Sequence, residues 1–365
     1  MQQKQITANL IKALKGLLFS AIVVALLFVT DAVMRPEFRP FDSWPALNEL
    51  PHDSVDVLMV GNSHAYTMFA PMQLWDEQGV TSWILGSGSI TVEQRLTMLQ
   101  AGLRTQSPEL IIFELWMPGE EESQREAVQT ALYTQVPLSS YKVQGLLRDV
   151  PPEAFWENAI PLIRNQSRWN ELTRDDFEIF NQQPPMTSGG AHPLVFEIDN
   201  RDEIEFPAFA EAEELDLFVI DQIKALPQVV EVAEEAGADL VFVFAPVASD
   251  EKLGQILGTR QMMAQMPELA RTRVVDMNDF AESDMGLTHE DFYDPGHLFL
   301  WGMRETTSWL YQEVIRFHTA DLPGPSEEVA QWWDTQAQHW NKMDIILAAQ
   351  DDPFPLSPEF EWQID

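Results

Sequence analysis

The sequence has 365 residues, 45% of them hydrophobic, enough to bury one sizeable core with only a small share left for a second domain. Its 58 acidic residues outnumber 22 basic ones, and the formal charge of -36 gives a surface that repels polyanions and argues against nucleic acid as a partner. Cysteine is absent, which excludes disulfides, thiolate zinc sites and lipid-modified cysteine, so the compartment has to be read from the N-terminus.

Lys4, Lys12 and Lys15 precede an uncharged apolar run from Gly16 to Thr30, the charge order of a segment whose N-terminal side stays in the cytoplasm. Fifteen helical residues span roughly 22 Å, short of a hydrocarbon core of about 30 Å, but Leu10 to Leu14 and Ala32 to Met34 extend the run if the lysines snorkel. The expected layout is a cytoplasmic segment at 1–15 and a single transmembrane anchor at 16–34. The chain would then lie in the inner (cytoplasmic) membrane, with its main domain periplasmic or extracellular. A cleaved signal peptide shares this charge order, although no clean small-x-small cleavage site follows the run. A buried soluble helix is the third reading, disfavoured because apolar residues cover all its faces.

Strands and helices alternate beyond that point. Residues 55–60 (VDVLMV) read as a buried strand ending at Gly61, residues 91–106 as a helix with Val92, Leu96, Leu99 and Leu103 on one face, and 109–115 (ELIIFEL) as another buried strand. A stretch rich in Pro, Asn, Gln and acidic residues, about 117–210, reads as an insertion. The order resumes with a helix near 214–236, strands at 239–244 and 273–276, and a helix over about 300–318. This predicts an α/β fold, a three-layer α/β/α sandwich around a parallel sheet, spanning about 50–320. Residues 321–365, with Trp332, Trp333, Trp340 and Trp362 among acids, are expected to pack on it as a helical appendage.

Ligands of open α/β sheets gather at the carboxyl ends of the strands, which directs attention to Gly61-Asn62-Ser63-His64. Gly61 lets the chain turn out of the strand, and Ser63 then stands near a helix start, where backbone N–H groups can face an oxyanion. Taken alone, the tetrapeptide reads more readily as turn chemistry. A second constellation, Asp291-Phe292-Tyr293-Asp294-Pro295-Gly296-His297, turns sharply at Pro295-Gly296. Asp294 and His297 are thereby brought close, so that the carboxylate can accept the imidazole Nδ1–H and leave Nε2 as a base. Metal ligation by His289, Asp294 and His297 is an alternative whose spacing matches no strong ligand pattern, and a capping turn is another. His64 is expected to point away from Ser63 and to make a structural hydrogen bond.

These blocks, GNSH after the first strand, Gly86 and Gly88 after the second, SPELIIFEL on the next and DPGH near the end, resemble in order and spacing the SGNH (GDSL-like) hydrolases. The resemblance is closest to exported, membrane-anchored members such as the teichoic-acid D-alanine transfer and alginate O-acetylation proteins. Their leucine-tryptophan pair and leucine-glycine-serine segment are matched by Leu74-Trp75 and Leu85-Gly86-Ser87. It implies a catalytic triad in which Ser63 is the nucleophile, His297 the general base and Asp294 its orienting partner. The backbone N–H groups of Ser63 and of Gly88 or Gly86 would form an oxyanion hole. One block departs: where the hydrolases carry Gly-x-Asn-Asp, this chain has Glu114-Leu115-Trp116-Met117-Pro118-Gly119, and the missing Asn donor would cost about 3 kcal/mol of oxyanion stabilisation if nothing replaced it.

The resemblance implies an O-acyltransferase that acetylates an exported cell-surface polysaccharide through an acyl-serine. It calls for no cofactor and no metal, and implies a polytopic membrane-bound O-acyltransferase as donor partner. A carbohydrate esterase and a non-catalytic polysaccharide-binding scaffold subunit are the alternatives, and the insertion would serve as a lid, an acceptor groove or a surface elaboration.

Overall fold

The computed structural model describes residues 2–34, 50–123, 139–174, 188–194 and 210–348, together with Leu47, Leu132, Tyr133, Val136 and Phe177. Helix α1 (Gln2–Met34) begins well before the expected anchor, because the Gln, Lys and Ala residues that precede the apolar run are themselves good helix formers. Its window Leu14–Asp31 has a mean hydropathy of 2.0 with none of it buried, so this is one helix long and apolar enough to cross a membrane or to be a signal sequence.

The main domain is a doubly wound α/β sandwich. Strand β1 (Val57–Gly61) runs into helix α2 (Ser63–Met68) and helix α3 (Pro71–Gln78). Then come β2 (Ser82–Gly86), α4 (Val92–Gly102), β3 (Leu110–Glu114) and, within the 117–210 stretch, α5 (Ser140–Asp149). Helix α6 (Leu217–Ala236), β4 (Asp239–Phe244), α7 (Asp250–Met263) and β5 (Arg273–Asp276) complete the alternation. The five strands pair in parallel in the order β2-β1-β3-β4-β5, and every residue of β1 and β3 is buried, as a sheet covered on both faces requires. This order reverses direction between β1 and β3, which places the crevice at the end of β1, where Ser63 stands.

Local chemistry fixes the helix ends. Thr91 and Gln94 form a reciprocal capping box at the start of α4. Asp216 accepts from the Val219 N–H at the start of α6, and Gly237 closes that helix at φ 72°, a left-handed conformation that glycine adopts without cost. Helix α4 packs against α6 over one set of strands, while α2 and α3 pack against a later helix, α8 (Leu300–Leu310), reached through the short antiparallel hairpin β6 (Phe292–Asp294) and β7 (His297–Leu298).

The C-terminal helix α9 (Glu327–Ala348) lies along α3. Trp333 is fully buried among Trp75, Trp83 and Trp332, with ring centroids 5.3 to 6.1 Å away, and Trp75 donates to Asp334 at 2.9 Å. Truncating a tryptophan so placed costs roughly 3–5 kcal/mol, so this helix is part of the core. Trp362 lies outside the described residues.

The 117–210 stretch holds more regular structure than its composition predicts: besides α5 it contains helical turns at Phe155–Ala159, Pro161–Arg164 and Asn165–Asn170. These pieces are too short to show a helical period, which is why the sequence reads as irregular.

Candidate active site

The Ser63 turn is built from the sheet outward. Gly61 is required by close approach, since a Cβ there would collide with Ala65 and lie 2.8 Å from the Glu114 Cβ. Asn62 caps α2, its Oδ1 accepting the His64 N–H at 3.0 Å, while its Nδ2 donates to the Trp116 carbonyl at 3.1 Å. The Glu114 carboxylate accepts the Asn62 N–H at 3.3 Å and the Trp116 N–H at 2.6 Å. Arg95 pairs with Glu114 at 3.5 Å, donates to the Glu114 carbonyl, and reaches the Trp116 carbonyl at 2.9 Å. Burial pushes the Glu114 carboxyl up and the Arg95 guanidinium down to about 10, each opposed by the charge of the other. The turn that carries Ser63 is thus clamped to the end of β3 by a buried ionic frame.

The β6–β7 hairpin supplies the other half. Asp294 Oδ1 accepts the N–H groups of Gly296 and His297 at 2.7 and 3.0 Å, an Asx turn that sets its carboxylate beneath the imidazole. His297 Nδ1 lies 2.7 Å from Asp294 Oδ2, and Nε2 lies 2.7 Å from the Ser63 Oγ. Burial acts to raise the Asp294 carboxyl, but the hydrogen bond and charge of His297, the Gly296 N–H and Lys252 outweigh it, and the group sits below the ordinary carboxylate value. The three residues therefore form one continuous line, and its geometry allows Nε2 to accept the hydroxyl proton while Asp294 holds the imidazolium.

His289 does not join them. Among the described residues no group of three or more His, Asp and Glu side chains is placed to hold a metal ion. His64 departs from expectation: among the described residues its imidazole makes no hydrogen bond. It stacks on Trp116 at 4.9 Å and 16°, and its ring meets that of His297 edge-on at 5.1 Å. Residue 64 is helical rather than extended, which swings the side chain against Trp116. Burial, reinforced by His297, Lys252 and Arg95, drives the His64 pKa well down and keeps it neutral.

Gly86 and Gly88 border the same place. A Cβ on Gly86 would lie 3.2 Å from Tyr66 Cδ1, and one on Gly88 would lie 3.5 Å from the Tyr66 hydroxyl. The N–H groups of Ser63 and Gly88 have no acceptor among the described residues.

Three residues that the sequence did not single out complete the surroundings. Tyr66, one helical turn after Ser63, turns its hydroxyl toward both Ser63 and Gly88; burial raises its phenol to about 12, against a hydrogen bond with Ser63, so it stays protonated. Its i, i+3 spacing from Ser63 was the available signal. His192 comes from the 117–210 stretch: its N–H donates to the Tyr66 carbonyl at 2.7 Å, its ring lies 5.5 Å from that of Tyr66, and burial, then the charge of His297, lowers its pKa. Nothing in its sequence context marks it. Lys252 places its Nζ 4.2 Å from the centre of the Trp116 ring.

This is a doubly wound α/β protein with a Ser-His-Asp constellation at its topological switch point. The sequence matches no protein-family profile and no curated protein. Among solved structures it is similar to a protein of Bacteroides fragilis NCTC 9343, provisionally described as an acylhydrolase, at 12% identity and a TM-score of 0.37, over 75% of this chain and 95% of that one. At that TM-score the likeness carries no weight for function, which rests on the geometry of the site.

Proposed function

We propose that this chain is an SGNH-type serine acyltransferase that O-acetylates an exported cell-surface polysaccharide through an acyl-serine. The observation that carries the reading is the unbroken line from Ser63 Oγ through His297 to Asp294, both gaps being 2.7 Å. His297 Nε2 takes the Ser63 proton as Oγ attacks the acyl carbonyl, and the imidazolium returns that proton to the leaving group when the tetrahedral intermediate collapses. A glycan hydroxyl, deprotonated by the same Nε2, then attacks the acyl-serine and regenerates Ser63. The Ser63 and Gly88 N–H groups stabilise the oxyanion, with the Tyr66 hydroxyl in place of the Asn donor that the sequence lacks. Helix α1 anchors the enzyme in the inner membrane with its catalytic domain outside the cytoplasm, beside a polytopic membrane-bound O-acyltransferase that supplies the acyl group.

One observation favours a second reading. The side chains of His297 and Asp294 retain 24% and 35% of their exposure, an opening that admits water, and water as acceptor makes the enzyme an esterase.

A fluorophosphonate tests the shared chemistry, because it reports an activated hydroxyl. Peptide mass spectrometry should find the label on Ser63 of the folded protein, and almost none in His297→Ala. Wild-type protein left unlabelled beside a reactive serine esterase would sink the proposal. Adding glycan acceptors to the acylated enzyme then separates transfer to sugar from release to water.

A further inference from the structure

Outside α1, ten large apolar side chains are exposed among the described residues, and five of them, Leu147, Trp156, Ile160, Trp169 and Phe177, fall between positions 147 and 177. Trp156 and Trp169 are 62% and 72% exposed, unusual for a residue that normally ends in a core or an interface. The helical turns at Pro161–Arg164 and Asn165–Asn170 pack against α1, and the turn bearing Trp156 packs in turn on the first of these. Among the α1 side chains described, Val33 and Met34, at the end where the apolar run finishes, are buried, while Leu17, Phe19, Leu26 and Leu27 are exposed. The turns that carry or adjoin the exposed tryptophans are thereby tied to α1, whose buried end lies where the apolar run finishes.

Charge singles out the same stretch. Between Trp156 and Trp169 lie two basic residues, Arg164 and Arg168, against one acidic residue, Glu157, in a chain whose overall charge is -36. An anionic headgroup layer repels the rest of the molecule but not this segment. Tryptophan with arginine around it is the composition that settles at a membrane-water boundary, where the indole is half in hydrocarbon and its N–H stays wet.

We infer that the segment around Trp156 and Trp169 is an interfacial platform that lies in the headgroup layer of the membrane holding α1 and fixes the orientation of the main domain against the bilayer. The inference rests on α1 spanning that bilayer. It gives part of the 117–210 stretch a partner of defined chemistry, a phospholipid surface, and restricts the domain to a narrow range of tilts about its anchor.

The absence of cysteine makes the test direct, since one introduced thiol carries one probe. Full-length Trp156→Cys, Trp169→Cys and Ile22→Cys, each labelled with an environment-sensitive fluorophore in phospholipid vesicles, are compared using nitroxides at shallow and deep acyl positions and aqueous iodide. The expected pattern is deep quenching at position 22, with shallow-nitroxide quenching and loss of iodide access at 156 and 169. Deep quenching at 22 with both tryptophan positions open to iodide and untouched by lipid nitroxide overturns the platform and leaves the anchor standing. Position 22 in water overturns the anchor, and the platform with it. All three substitutions are at exposed positions, so folding does not confuse the outcome.

Discussion

The Glu114 carboxylate lies 3.5 Å from the Arg95 guanidinium, with side-chain exposures of 1% and 0%, behind the turn that carries Ser63. Removing one partner strands the other charge away from water, and such a break costs about 3–5 kcal/mol. Arg95→Met should therefore lower the denaturation midpoint sharply, whereas Arg95→Met combined with Glu114→Leu should recover part of the loss. A loss in the double variant equal to the sum of the Arg95→Met and Glu114→Leu losses would show that the pair is not coupled.

Ser63, His297 and Asp294 should fail as a unit. Ser63→Ala and His297→Ala should each lower turnover of an activated acetyl ester by on the order of 10^3-fold or more, with the double variant little worse than either. Multiplying losses in a steady-state assay would mean that the two residues act separately. Asp294→Asn should keep the fold and reduce turnover by altering the orientation and charge of the imidazole.

Tyr66→Phe retains the ring that packs near His192 and removes only the hydroxyl. Loss of one oxyanion donor predicts a fall in kcat of about 10^2-fold to 10^3-fold with little change in KM. Thermal melting should be unchanged. A kcat within a few-fold of wild type, in protein whose Ser63 still takes the fluorophosphonate, would assign Tyr66 to packing alone and leave the serine chemistry intact.

His64 is neutral in its buried place, its pKa well below the ordinary 6.5. The unfolded chain therefore binds more protons at this position as pH falls past 6.5, and the stability due to neutral His64 is lost in that direction. The stability difference between wild type and His64→Gln should shrink as pH falls below 6.5, at most by about 1.4 kcal/mol per pH unit, until the folded pKa is passed. Urea titrations at about pH 8 and about pH 5 would measure it. A difference independent of pH would contradict the burial of an uncharged ring.

Strands with continuous apolar runs were legible: β4 and β5 occupy the residues read from sequence, and β1 starts two residues later than expected because Val55 and Asp56 precede the pairing with β2. The triad of Ser63, Asp294 and His297 came from the resemblance to the SGNH hydrolases and not from the strand pattern, and the structure brings the three within hydrogen-bonding distance. His192 was not legible. Its place depends on main-chain pairing, the Ile84 N–H donating to Gly189 O at 2.8 Å and the His192 N–H to Tyr66 O, and such bonds leave no side-chain pattern. Glu114 and Trp116 were visible only as a departure from the hydrolase block. That Glu114 would become the buried partner of Arg95 depends on the first turn of α4 coming within side-chain reach of the end of β3, a tertiary fact.

The separation of 234 positions between Ser63 and His297 has a consequence in time. The strands that neighbour β1 on either side, β2 and β3, are complete by residue 114, so the serine can be seated on its sheet while its base is still to be made. At ribosomal rates of about 5–20 residues per second, 234 residues take roughly 10 to 50 s. During that interval, and in any chain truncated ahead of the β6–β7 hairpin, Ser63 is an ordinary alcohol. On the proposed mechanism, Ser63 becomes reactive only once the β6–β7 hairpin is made.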